Sequence, residues 1–187
     1  VQDEHSEDML RMAGTTAIHP YYEPIYVGVA KRLPFLLVTL TGCIGVLLVQ
    51  ERFKELITLP GLMLMVLPIV HLISGLSGNV AVVTSTVFVR GLATGEIYPG
   101  RISRAVWQEL LIGLLIGMVI AVLVGLVLSL FFQEKYELDT ILVVVFGLFA
   151  SIAWAAVIGA LVPVFCRRFG IDPAIASGPF VTITVDI

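Results

Sequence analysis

The sequence predicts an all-α integral membrane protein with five transmembrane helices per subunit, a cytoplasmic N-terminus and a short cytoplasmic helix ahead of the first span. Two observations predict it. Of the 187 residues, 58% are hydrophobic and only 13% are charged, and the mean hydropathy is +1.03, a balance that water-soluble domains do not show. The apolar residues are also gathered into runs of roughly 20, the length that a helix rising about 1.5 Å per residue needs to cross about 30 Å of hydrocarbon. A net charge of −3 without a basic face argues against a nucleic-acid partner and leaves the lipid bilayer as the main surroundings.

Residues 1–30 read as a cytoplasmic juxtamembrane segment. Asp3, Glu4, Glu7 and Asp8 suit the positive end of a short helix running to Ala17, and Pro20 and Pro24 end it. The opening VQDEHSEDML has neither the basic start nor the short apolar stretch of a signal peptide, so the later runs are expected to stay as anchors. Residues 31–187 form the transmembrane pore domain, with runs at 33–49, 59–89, 106–132, 141–165 and 171–187. The fifth is cut short at Ile187, as in a piece of a longer polypeptide. SGLSGN, residues 74–79, interrupts the second run and predicts a helix loosened at its glycines. Gly113 and Gly117 in the third have the spacing that lets membrane helices approach closely. Cys43 and Cys166 fall in different runs without a pair motif and read as small buried residues.

Orientation follows from lysine and arginine near the ends of the spans. A cytoplasmic N-terminus puts Arg11, Lys31, Arg32, Arg90, Arg101, Arg104, Arg167 and Arg168 inside and leaves only Arg52, Lys54 and Lys135 outside. The expectation is a multi-pass protein of the plasma (inner) membrane. Its fifth helix runs outward from Asp172, so Asp186 lies well within the bilayer.

Two interruptions carry the chemistry. In the second helix Gly75, Gly78, Asn79, Val82 and Thr86 share one face by helical spacing, a face nearly free of large side chains that lines either water or a close helix contact. In the fifth, Ile175, Gly178, Pro179, Thr182 and Asp186 share a face, and Pro179 frees the carbonyl of Ile175 to turn toward a cavity. An ionised carboxylate in lipid costs on the order of 3 kcal/mol even on lenient scales. With no basic residue inside the five runs, a mobile cation is the natural partner of Asp186.

GLSG, residues 75–78, resembles the nucleophile loop of rhomboid intramembrane serine proteases, but no histidine follows Ser77 to act as base. His71 reads instead as a hydrogen-bonded interior residue.

DPAIASGPFVTITVD, residues 172–186, resembles the fifth membrane helix of the MgtE family of magnesium channels, through Asp172, Pro173, Ala174, Ser177, Gly178, Pro179, Phe180, Thr182 and Asp186. SGNVAVVTSTVFVRGLATGE, residues 77–96, resembles its second-helix segment through Gly78, Asn79, Arg90, Gly91, Ala93 and Glu96, and RAVWQELLIGLLIG, residues 104–117, has Arg104, Glu109, Gly113 and Gly117 at the family's spacing. The resemblance implies a homodimer whose ion path runs on the two-fold axis between the second and fifth helices of both chains. It implies Mg2+ as both transported ion and regulator, and Asp172 as a cytoplasmic regulatory metal ligand. Physics fits such a path: two Asp186 carboxylates across one axis repel unless a divalent cation lies between them. Uptake would be driven by the membrane potential, and no enzyme chemistry is expected. The alternatives are a proton- or sodium-coupled exporter in which Asp186 titrates, and a membrane scaffold without flux. Where the family usually has Gly-Gly-Asn, then Gly and Gln, this chain has Ser77, Gly78, Asn79, Ala81 and Val82, which predicts a less polar wall on the second helix.

Overall fold

The computed structural model describes residues 24–53, 61–132 and 136–173. They form α1 (Ile25–Phe53), α2 (Gly61–Ala93), a single 3-10 turn (Pro99–Arg101), α3 (Ile102–Phe131) and α4 (Leu138–Arg168). No strand occurs among the described residues, and four helices are long and apolar enough to cross a membrane. The acidic stretch at residues 3–8 and most of the expected fifth helix, with Gly178, Pro179, Thr182 and Asp186, lie outside the described residues.

Two expectations change. α1 starts at Ile25, well ahead of the apolar run at 33, so Lys31 and Arg32 stand inside a helix rather than beside one. Arg32 is 1% exposed, which overturns the expectation that the spans hold no basic residue. α2 also runs unbroken through SGLSGN. A glycine in a helix costs up to about 1 kcal/mol relative to alanine, but Leu76 in this stretch and Val80 just after it are 0% and 2% exposed, and their packing offsets that cost. The Ser77 hydroxyl stays within the helix, donating to the Ile73 carbonyl at 2.7 Å.

One core joins all four helices, through Leu36 and Leu40 of α1, Leu72 and Leu76 of α2, Ile116 and Ile120 of α3, and Leu148 and Ile152 of α4. Outside it, Val38, Leu48, Val122, Leu130, Val143 and Phe146 are exposed, as helices apolar all round require when lipid is the solvent. α4 meets its neighbours through glycines. A methyl added at Gly113 would sit 2.6 Å from the Ala156 methyl, and one at Gly159 would sit 2.5 Å from the Ala81 carbonyl oxygen of α2.

The end of the bundle where α2 and α4 finish and α3 begins collects Arg90, Arg101, Arg104, Arg167 and Arg168. Arg167 Nη1 donates to the Leu92 carbonyl at 3.0 Å, placing a cation at the negative end of α2. α4 closes with Gly170 at φ 73°, Gly170 N–H bonding the Arg167 carbonyl and Ile171 N–H the Cys166 carbonyl. This left-handed turn satisfies the last carbonyls at the cost of requiring a glycine.

Candidate functional site

Over residues 75–89 the face predicted on α2 is the least covered side of the helix, except at Gly78, which is buried. Gly75, Asn79, Val82 and Thr86 are half-buried, in steps of four, three and four residues, while Leu76, Val80, Ala81, Val83, Thr84 and Val87 on the other sides are buried. The edge of the stripe nearest α1 is in contact with it. A methyl added at Gly75 would meet Cys43 Sγ at 3.3 Å, and Asn79 Nδ2 donates to Thr39 Oγ1 at 3.2 Å. Thr39 passes the chain on, its hydroxyl donating to the Phe35 carbonyl at 3.2 Å. Asn79 therefore uses one amide hydrogen on α1 and keeps its carbonyl oxygen for other partners. Gly78 is buried, yet a methyl there would meet nothing within 4 Å.

Of the positions that differ from the resembled pattern, Ser77 and Ala81 are buried and face away from the stripe. Val82 alone lies on the half-open face, so the loss of polarity there comes down to one side chain. Asp172 is exposed, just beyond the turn that closes α4 and at the arginine-rich end. His71 is exposed on α2 rather than interior, and the Ser77 hydroxyl is committed to its own helix, an arrangement unsuited to a nucleophile and base. Cys43 is buried as expected, whereas Cys166 is only half-buried, and both are free thiols. Among the described residues, no group of three or more His, Cys, Asp or Glu side chains is arranged to hold a metal ion.

The structure also shows a polar cluster that sequence reading missed as a cluster, although it singled out Glu109 as part of the resembled pattern. Arg32 of α1 forms a two-pronged pair with Glu109 of α3, Nη1 to Oε2 at 2.6 Å and Nη2 to Oε1 at 2.8 Å. Thr84 of α2 completes it: its hydroxyl accepts from Arg32 Nη1 at 3.2 Å and donates to Glu109 Oε2 at 3.3 Å. Glu109 and Thr84 are 0% exposed. The signal was available, since Glu109 is an acid inside the third apolar run, and charges at such depth are paired.

Residues 70–187 match the family model described as MgtE, divalent cation transporter. The chain belongs to the MgtE family. Its relatives include the magnesium transporter MgtE of Bacillus subtilis, 30% identical over 98% of this chain, and that of Enterococcus faecalis, 26% identical over all of it. The magnesium transporter MgtE of Thermus thermophilus is also 26% identical over the whole chain. The chain spans 40% of the length of each of these relatives. As an MgtE-family member it is a multi-pass membrane protein of an ion-transport family, and not an enzyme.

Proposed function

We propose that this chain forms the pore of a divalent-cation channel or transporter that lets Mg2+ enter the cell down the membrane potential. The observation that carries this reading is the stripe on α2: one face of mostly small and polar residues, half-open over residues 75–89, where the other faces of the helix are packed. In an MgtE-family chain such a face is suited to line an ion path. In this reading two copies form a homodimer, and the path lies on their two-fold axis. The segment after α4 adds the other wall, with Asp186 as the principal ion site and Gly178, Pro179 and Thr182 beside it. Asp172 and Mg2+ on the cytoplasmic side regulate opening. The clustering of five arginines at the end holding Asp172 favours that end as cytoplasmic.

A divalent ion gains about 4.6 kcal/mol on crossing about 100 mV, enough to drive uptake without coupling. The test is Mg2+ uptake into proteoliposomes under an imposed potential, with and without a pH gradient. Uptake should follow the potential and ignore the pH gradient. Asp186→Asn, folded and assembled, should lose nearly all divalent flux. Wild-type flux through Asp186→Asn would remove Asp186 from the path, and flux that follows only the pH gradient would favour coupled export.

A further inference from the structure

We infer that Arg32, Glu109 and Thr84 are positioning residues which fix the rotation of α2 about its own axis and thereby aim its half-open stripe at the ion path. The inference rests on the transport reading for what the stripe does, but the geometry that carries it stands apart. The Arg32 fork and the Glu109 carboxylate meet through two parallel bonds, so they accept only a narrow range of mutual orientations and tie α1 to α3 in one arrangement. Thr84 is inserted at the joint between Nη1 and Oε2, bonded to both.

At about 100° per residue, Thr84 lies roughly 140–200° around α2 from Asn79, Val82 and Thr86, so the anchored point is the back of the stripe. From the same side, a methyl added at Gly159 of α4 would sit 3.0 Å from Thr84 Cβ, so α4 presses against the residue that the pair holds. Turning α2 would have to break hydrogen bonds to two buried charges, whose strength falls off steeply once the angle drops below about 120°.

A buried ion pair is a poor source of net stability, since apolar residues of similar volume often serve as well or better. What it supplies here is direction. Leucines and valines on the other faces of α2 pack nearly as well after a small rotation, whereas the Thr84 hydroxyl does not reach both partners from another angle.

The test uses the full chain in proteoliposomes and separates orientation from transport. Orientation is read as the rate at which a thiol reagent modifies Thr86→Cys in a background carrying Cys43→Ala and Cys166→Ala. Transport is read as Mg2+ flux with Thr86 intact. Thr84→Val keeps the shape and leaves the Arg32–Glu109 fork in place. It should change the modification rate and lower the flux, each by about tenfold or more, since both of the bonds it removes run to charged groups. Thr84→Ser should restore both.

Folded Thr84→Val with wild-type modification and flux would overturn the inference. If Thr84→Val does not fold, Arg32→Lys replaces it, keeping the charge but losing the fork, and wild-type values in that folded variant overturn the inference equally. Failure of both to fold would assign the cluster to stability alone and overturn it as well. Absence of flux in the wild type would defeat the transport reading, while the modification rates would still decide the orientation.

Discussion

Where α4 meets α2 and α3, the helices touch through side chains that are missing. Where α1 meets the same two helices, they touch through hydrogen bonds. At Gly113 and Gly159 there is no room for a single methyl, and the contacts are to the Ala156 methyl and the Ala81 backbone. At the α1 seam, Arg32 pairs with Glu109 and Asn79 bonds Thr39. Glycine seams set how near two helices come, because backbone meets backbone and dispersion contacts multiply. Polar seams set which way a helix faces, because each bond has an angle. α2 takes part in both: α4 holds it close, and the cluster at Thr84 gives it a heading.

The comparison is broken most strongly at the polar seam. Glu109→Gln keeps the shape but leaves the Arg32 charge buried beside a neutral amide, and stability should fall by about 3–5 kcal/mol. Thermal unfolding in a mild detergent measures it, and a loss below about 1 kcal/mol would mean that Arg32 finds another partner or reaches water. The glycine seam should yield next. Gly159→Val drives a branched side chain into the Ala81 carbonyl and the Thr84 side chain, and overpacking of this kind costs about 1–3 kcal/mol. The same melts test it, and an unchanged midpoint would show that α2 and α4 separate freely.

The smallest effect sharpens the contrast. Gly78 lies in the same helix as the stripe but belongs to neither seam, since a methyl there meets nothing within 4 Å. Gly78→Ala should therefore raise stability by about 0.5–1 kcal/mol through helix propensity alone. A fall instead would show that another surface, from a second copy or from the segment beyond Pro173, occupies the space beside it.

Much of the architecture was legible because lipid imposes a simple rule of length and hydropathy. The runs at 33–49 and 141–165 fall within one helix, the run at 106–132 ends a residue beyond one, and the run at 59–89 falls within one from Gly61 onward. Helical spacing also placed Gly75, Gly78, Asn79, Val82 and Thr86 on one face, and the structure leaves that face half-covered at all of them but Gly78, which is buried. The rest depended on tertiary partners. Arg32 looked like a flanking charge because hydropathy places the end of a span at the first basic residue, and only a carboxylate 77 residues later allows the helix to carry it inward. SGLSGN looked like a break because propensity is local, whereas the packing of Leu76 and Val80 is not. His71 looked like an interior residue because it lies within an apolar run, but its exposure depended on which side of α2 the other helices would take.

The distance in sequence between Arg32 and Glu109 has a consequence for how the chain is made. Synthesis at about 5–20 residues per second separates the two by about 4–15 s. During that interval α1 is already available to the membrane with an arginine that has no counter-charge, and an arginine at mid-bilayer costs about 2.5–3.5 kcal/mol on insertion scales. Arg32 sits in the second turn of α1, close enough to one end for its long side chain to reach back to the headgroups. A guanidinium so placed can stay in water and phosphate until the third helix delivers the carboxylate.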